Sequence, residues 1–203
     1  MGMKLKTPCT VIHNAADLDL IKSANPAFWD KKFGKDTEVW SCASSWRPHK
    51  RLSENIRYFL EFAPKDAIFA IAGAIGMDDA KRIPDNKRLV LVGDLDYTNL
   101  LSLYKKSSTF VHLAYLDHCP NVVVDAQAAG CRIVCSSTGG TQEIVNDGII
   151  IHEKKWDFEP IRLYKPPLME WTKIEQKIEH NEEEKPSIVS CAKKYYEVMG
   201  SLL

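Results

Sequence analysis

The feature that most constrains the fold of this chain is an alternation of short apolar runs with longer amphipathic stretches. Each run is apolar at successive positions, which is typical of parallel strands covered on both faces. The runs are Val39–Ala43, Ala67–Ala72, Leu89–Val92, Thr109–Leu113, Arg132–Cys135 and Ile149–Ile151. Stretches with helical spacing separate them, as in Leu52–Ala63 and Val122–Ala129. The alternation predicts a Rossmann-like, doubly wound, mostly parallel α/β sheet with helices on both faces.

The last fifty residues follow a different pattern. Residues 152–170 show no clear period and predict a long loop. Trp171, Ile174 and Ile178 have the spacing of a helix. Pro186 is well placed to open a last helix, and this helix would carry Ile188, Ala192, Tyr195 and Met199 on one face.

Composition excludes several functional classes. Lys and Arg balance Asp and Glu at 27 each, so no overall field draws the chain to nucleic acid. No apolar run approaches the roughly 18 residues that cross a bilayer, and the N-terminus lacks a signal-peptide core, which favours a cytoplasmic protein. The six cysteines form no C-x-x-C pair and predict buried reduced thiols, not a zinc site or a disulfide framework.

A basic segment, residues 44–51, follows the first predicted strand. Arg47, Lys50 and Arg51 lie within five positions before a helix, whose positive end also favours anions. A phosphate clamp is the functional interpretation. A solvated basic turn is the alternative, and this segment taken alone favours it.

Two acidic residues surround the start of the helix that follows the strand Thr109–Leu113. Pro120 fits the first turn of this helix and Gly130 its C-terminal end. Asp117 lies in the preceding loop, and Asp125 lies about one turn inside, where an acid must face a wet surface. Such carboxylates accept hydrogen bonds from sugar hydroxyls. For Asp117 alone, helix capping is the alternative.

A glycine pair, Gly139-Gly140, follows the strand that ends at Cys135. Paired glycines allow close approach of the backbone to a ligand, and the next helix start offers N–H groups to a diphosphate. Most such pairs are only turns, so the pair is weak evidence by itself.

Taken in order, these three loops resemble one family. Residues 108–145 are similar to the signature of the large retaining glycosyltransferase family four, glycosyl transferases group 1. That signature has two acids eight positions apart, a small-residue helix ending in Gly, a strand and then Gly-Gly-x-x-Glu. Here these are Asp117 and Asp125, Ala128-Ala129-Gly130, and Gly139 to Glu143. Pro48-His49-Lys50 resembles the segment with the phosphate-binding Lys, and residues 11–17 resemble the linker between the two domains of the GT-B fold.

The resemblance implies a site for a nucleotide-diphosphate sugar, with no metal and no other cofactor. Lys50 would contact the diphosphate, Asp117 the transferred sugar and Asp125 the ribose, with Lys50 and Asp117 as the catalytic residues. The implied donor-binding residues are Arg47, Lys50, Gly93, Asp117, His118, Cys119, Pro120, Asn121, Val122, Asp125, Gly139 and Gly140. The implied organisation is a linker-like segment at 1–18, the nucleotide-sugar-binding domain at 19–151, and a loop with C-terminal helices at 152–203 packing on that domain.

The chain departs from the family at several positions. Both acids are Asp where the family usually has Glu, Ser45 stands in place of a usual Arg for which Arg47 is a candidate substitute, and His13 replaces a usual Pro. The linker-like segment begins near residue 10, so we expect the N-terminal acceptor domain of the GT-B fold to be a separate partner, in cis or in trans. We therefore expect donor binding without efficient transfer, and an exposed apolar patch where the missing half docks.

Two functional hypotheses remain open from the sequence. The first is the donor-binding half of a retaining hexosyltransferase in polysaccharide biosynthesis, acting on a glycan or lipid-linked acceptor. The second is a non-catalytic nucleotide-sugar-binding or scaffolding module that partners another glycosyltransferase. A flavodoxin-like signalling domain is a poor alternative, because the acids follow a middle strand and not the first one.

Overall fold

The computed structural model describes residues 9–154, 165–171, 174–178 and 187–200 of the chain. Its strands are β1 (Val39–Ala43), β2 (Ile68–Ala72), β3 (Leu89–Gly93), β4 (Thr109–His112), β5 (Arg132–Ser136), β6 (Asp147–Ile151) and β7 (Ile174–Ile178). Its α-helices are α1 (Leu18–Ser23), α2 (Ala27–Phe33), α3 (Leu52–Phe62), α4 (Met77–Ala80), α5 (Tyr97–Lys106), α6 (Asn121–Ala128), α7 (Thr141–Ile144) and α8 (Ile188–Gly200). A short 3-10 helix, Pro48–Lys50, precedes α3.

The strands form one sheet with the order β3-β2-β1-β4-β5-β6-β7. Strands β1 to β6 are parallel, and β7 pairs antiparallel with β6. The chain fills the sheet outward from β1 to β3, then returns to the other side of β1 and fills outward again from β4. The sheet therefore reverses its winding between the neighbouring strands β1 and β4, and the helices that follow these two strands, α3 and α6, pack on opposite faces of the sheet.

Apolar side chains cover both faces of the sheet, as the continuous apolar runs predict. Trp29, Leu101 and Phe110 belong to the core on the face of α1, α2, α5 and α6. Phe59, Phe69 and Val111 belong to the core on the face of α3. The doubly wound α/β fold predicted from the sequence is confirmed, with strand boundaries that differ from the predicted ones by at most two residues.

The prediction of a helix around Trp171, Ile174 and Ile178 is wrong. Residues Ile174–Ile178 form β7, whose backbone pairs with β6 from Asp147 to Ile151. Positions i and i+4 share a face in a helix and in a strand alike, so the apolar spacing does not distinguish the two. The open edge of β6 decides the outcome, because its backbone groups need hydrogen-bond partners.

The other predictions for the C-terminal region have mixed outcomes. Helix α8 contains the four apolar residues expected on its face, whereas Pro186 and residues 155–164 lie outside the described residues. All six cysteines are free thiols, but only Cys42, Cys131 and Cys135 are buried, and Cys9 is exposed. None of the helices in the described ranges combines the length and the apolar character that spanning a membrane requires.

Candidate functional site

The site lies at the carboxyl edge of the sheet, beside the ends of the neighbouring strands β1 and β4. Lys50 ends the short helix after β1, and Asp117 lies in the loop after β4. Their side chains meet, with Lys50 Nζ 2.5 Å from Asp117 Oδ2. In an open α/β sheet this point of reversal is where ligands bind. The two residues that the sequence placed in separate loops thus form one ion pair.

A third side chain, His112, completes the cluster and was missed in the sequence. Its Nε2 lies 2.9 Å from the same Oδ2 atom of Asp117, while the backbone N–H of His118 donates to Oδ1 at 3.0 Å. His112 is the last residue of β4 and is only 5% exposed. A histidine inside an apolar strand, five positions before an acid, was the available signal. Asp117 is therefore held by three donors and does not serve as a helix cap.

These contacts determine the protonation states of the cluster. Burial favours a raised pKa for Asp117, but the hydrogen bonds and charges of His112 and Lys50 outweigh it and hold the pKa well below its usual range. Burial lowers the pKa of His112, although Asp117 opposes this shift. A neutral imidazole beside a carboxylate favours the Nε2–H tautomer, so His112 donates to Asp117 without adding a charge.

The basic turn does not present its three cations together. Arg51 turns away from Lys50 and forms a bidentate pair with Glu153, with both N–O distances 2.8 Å and the Arg51 side chain 1% exposed. Arg47 is exposed and lines a separate cavity of about 590 Å³ beside α3, together with Arg82. Lys50 alone of the three reaches Asp117. The phosphate-clamp interpretation is therefore wrong for Arg51, and the role of Arg47 stays a prediction.

Two contacts with Tyr115 hold the basic turn in place. Tyr115 donates its backbone N–H to His49 O at 2.7 Å, which joins the loop after β1 to the loop after β4. Arg51 adopts a left-handed conformation with φ 52°, and its guanidinium lies 5.0 Å from the centre of the Tyr115 ring. Lys50 therefore projects from a turn whose position is set by the neighbouring loop.

Asp125 lies in α6, eight positions after Asp117. It is 6% exposed and accepts a hydrogen bond of 3.2 Å from the hydroxyl of Tyr97, the first residue of α5. Burial raises the pKa of Asp125 to about 6. Both residues line a cavity of about 610 Å³ with Asn14 and Val122. The sequence predicted that Asp125 faces a wet surface; the side chain lines a cavity but is otherwise buried. Tyr97 was missed, and only its place at a helix start after β3 could have indicated it.

A further cavity adjoins that of Asp125 at the ends of β1, β2 and β3. It has a volume of about 430 Å³, and its lining includes Ser44, Gly73 and Asp94. Leu100 and Val122 line both cavities, so the two lie side by side. Gly93 itself, with φ 76°, accepts a hydrogen bond at 2.8 Å from the N–H of Gly73, which lines this cavity.

The segment His118-Cys119-Pro120-Asn121 leads into α6. Asn14 donates to Cys119 O at 2.9 Å and to Asn121 Oδ1 at 2.8 Å, which attaches the linker-like segment to this loop. Pro120 occupies the N-cap position. The backbone N–H groups of Asn121 and Val122 therefore belong to the first turn of α6, where N–H groups lack partners within the helix.

The glycine pair packs against protein backbone. The N–H of Gly140 donates to Asp117 O at 2.8 Å. A Cβ atom at Gly139 would lie 2.2 Å from Asp117 O, and one at Gly140 would lie 2.2 Å from His118 O. The expected close approach is therefore to the Asp117–His118 loop, which the glycine pair supports. Among the described residues, no three His, Cys, Asp or Glu side chains gather as a metal site would require.

Comparisons with known proteins agree with this architecture. The family model of glycosyl transferases group 1 matches residues 26–160. Alr3699/HepE of Anabaena, solved with UDP-glucose, is similar with a TM-score of 0.60 and 18% identity, over 72% of this chain and 44% of that one. Sucrose-phosphate synthase of Thermosynechococcus elongatus has a TM-score of 0.58 and 16% identity, over 69% and 38% of the two chains.

A third similar structure is itself a domain. The C-terminal domain of the group 1 family protein LpcC of Francisella tularensis has a TM-score of 0.56 and 17% identity, over 70% of this chain and 82% of that one. The chain spans less than half the length of the other two structures. A search of the curated proteins finds no match. The chain belongs to the glycosyl transferases group 1 family, and its fold is that of the C-terminal domain of a GT-B glycosyltransferase.

Proposed function

We propose that this domain binds a nucleotide-diphosphate sugar at the carboxyl edge of its sheet and is the donor-binding half of a retaining glycosyltransferase. The observation that carries the proposal is the Lys50–Asp117 pair between the loops after β1 and β4, with Asp125 in a cavity lined by the first turn of α6. The complex of Alr3699/HepE with UDP-glucose, a protein of the same fold, supports this choice of ligand.

Each part of the donor has a partner with suitable chemistry. Lys50 supplies a positive charge for the diphosphate, and the first N–H groups of α6 add donors for its oxygens. Asp125 accepts from the ribose hydroxyls, and Asp117 accepts from a hydroxyl of the transferred hexose. The base occupies the cavity lined by Gly73 and Asp94.

The proposed chemistry is stabilisation of the leaving diphosphate. As the bond between sugar and phosphate breaks, negative charge grows on the phosphate oxygens, and Lys50 and the α6 amides offset it without a metal. The ionised Asp117 orients the sugar. A hexosyl group would pass with retained configuration to a glycan or lipid-linked acceptor in polysaccharide biosynthesis, once an N-terminal domain closes over the site.

Helix α8 offers a surface for that N-terminal domain. Its exposed apolar side chains include Val189, Tyr196 and Met199, which are 65%, 81% and 65% exposed. Such a patch is typical of an interaction surface. Because α8 also lines the Asp125 cavity through Ile188 and Tyr195, a domain bound there would lie beside the donor.

The test is a calorimetric titration of the chain with UDP, GDP and ADP and with UDP-glucose, GDP-mannose and ADP-glucose. We expect one nucleotide series to bind and Asp125→Ala to weaken its binding at least about tenfold, the effect of losing a charge-assisted hydrogen bond. Asp66→Ala is the control, because Asp66 is exposed at the opposite edge of the sheet. Unchanged binding by Asp125→Ala would place the ligand elsewhere.

The second candidate function is a non-catalytic scaffold that retains the fold. The observation in its favour is that Lys50 already has a partner in Asp117, which neutralises the charge that a diphosphate requires. A folded chain that binds none of the six ligands would support the scaffold.

A further inference from the structure

Three donors contact the Asp117 carboxylate, and two of them share one oxygen. Lys50 and His112 both contact the single atom Oδ2, and the His118 N–H occupies Oδ1. The two side chains differ in setting. Lys50 projects from a turn and its side chain is 20% exposed, whereas His112 is part of β4 and its side chain is 5% exposed. The Phe110 ring lies nearly parallel to the imidazole, at 6.3 Å between ring centres.

Lys50 has a second anionic partner once a nucleotide-diphosphate sugar binds. A diphosphate carries more negative charge than one carboxylate and draws the ammonium group away from Asp117. The side chain of Asp117 is 15% exposed, so an ionised carboxylate left with fewer partners there is costly. His112 can stay behind, because it is neutral and fixed in a strand.

We infer that His112 is a positioning residue that holds Asp117 in place while Lys50 moves from Asp117 to the donor diphosphate. The position that Lys50 leaves on Oδ2 then accepts a hydroxyl of the transferred sugar. The exchange makes the sugar contact depend on the arrival of the diphosphate. This inference rests on the proposed function, since it assumes that the diphosphate binds beside Lys50.

The inference predicts a specific coupling between His112 and Asp117 in diphosphate binding. Without the imidazole, Asp117 retains Lys50 more strongly, so His112→Phe should weaken UDP binding about tenfold. Asp117→Asn should bind UDP more tightly than the wild type, because a neutral amide retains the Lys50 ammonium less strongly than a carboxylate does. In the Asp117→Asn background, His112→Phe should have no further effect. A structural role for His112 would weaken binding equally in both backgrounds.

The experiment measures the affinity of UDP and UDP-glucose, and of the GDP and ADP pairs, for the four members of this cycle. His112→Gln should lie within about twofold of the wild type, since its amide can still donate an N–H to Asp117. Phe110→Leu is the matched control and should leave all affinities unchanged, because the Phe110 ring lies against the imidazole and has no group that could donate a hydrogen bond to Asp117. UDP-glucose should lose its advantage over UDP in Asp117→Asn.

The outcomes separate the two proposals. A folded wild type that binds no nucleotide overturns the proposed function together with the exchange. Nucleotide binding with equal His112→Phe effects in both backgrounds overturns the role of His112 alone. Should His112→Phe fail to fold, Asp117→Asn decides by itself: weaker UDP binding than in the wild type contradicts the exchange, and tighter binding supports it.

Discussion

Two aspartates eight positions apart have opposite electrostatic settings, although both lie next to the same helix. Asp117 accepts from His112, Lys50 and a backbone N–H, and its pKa is held low. Asp125 has one neutral partner, Tyr97, and burial raises its pKa to about 6. Burial favours the protonated form of both groups, so the difference arises from the donors around each carboxylate. Asp117 and Asp125 are thereby suited to contact different parts of a ligand.

The raised pKa of Asp125 makes stability depend on pH in a defined direction. The folded chain binds this proton more tightly than the unfolded chain, whose Asp125 has a pKa near 3.8. The stabilisation is complete below pH 4 and is lost as the pH rises through about 6. We expect Asp125→Asn to be more stable than the wild type at pH 7 by about 1–2 kcal/mol, allowing for solvent in the cavity, and equal at pH 3.5.

Urea unfolding of both proteins across this pH range measures the effect. Asp117→Asn is the matched comparison, with the opposite sign. Because the pKa of Asp117 is lowered in the folded chain, its stabilising contribution is present when the pH is above the usual pKa of an aspartate and is lost as the pH falls below it. Asp117→Asn should therefore be less stable than the wild type at pH 7. A stability difference for Asp125→Asn that does not change between pH 3.5 and 7 would contradict the raised pKa.

At the level of local elements, one buried network joins four segments behind the site. Glu153, two residues after β6, accepts hydrogen bonds from both terminal nitrogens of Arg51 and from the hydroxyls of Ser136 and Thr138. Arg51 also donates to Pro167 O at 2.8 Å. The network therefore ties the turn that carries Lys50 to the ends of β5 and β6. It determines how the turn and the glycine loop stand relative to each other.

Breaking this network should destabilise the domain. Glu153→Gln leaves the Arg51 guanidinium, whose side chain is 1% exposed, without its counter-charge, and we expect a loss of about 3–5 kcal/mol. Glu175→Gln is the control, because Glu175 pairs with His152 at the surface, where the loss should stay below about 1 kcal/mol. Denaturant unfolding at pH 7 compares the two. Equal small losses would mean that the Arg51–Glu153 pair is not buried as described.

For the molecule as a whole, the chain spans less than half the length of Alr3699/HepE, and apolar side chains of α8 are exposed to solvent. Orientation of two substrates and exclusion of water contribute up to about 7–11 kcal/mol to catalysis, and in the proposed function an N-terminal domain supplies part of both. We expect the chain to bind a nucleotide sugar without increasing the rate at which the sugar is released above the uncatalysed rate.

Release of UDP from UDP-glucose, with and without a glycan acceptor, measures this activity. Asp125→Ala is the control for contaminating enzymes, since turnover that persists in this variant does not come from the proposed site. Multiple turnover by the chain alone that disappears in Asp125→Ala would contradict the need for a second domain.

The fold and the acidic pair could be predicted from the sequence because they depend on local patterns. Successive apolar positions such as Val39–Ala43 identify strands that are covered on both faces, and Asp117 and Asp125 stand at fixed distances from a recognisable helix. The spacing of Ile174 and Ile178 was ambiguous, since a helix and a strand both place them on one face. The free edge of β6 resolved it.

The partners of each charged side chain depend on distant parts of the chain. His112 and Lys50 are 62 positions apart, yet both contact Asp117, and Arg51 reaches Glu153, 102 positions away. Nothing in the run of Arg47, Lys50 and Arg51 distinguishes the cation that enters the site from the one that is buried behind it. The reversal of strand order between β1 and β4 makes that distinction, because it brings the loops after these two strands together.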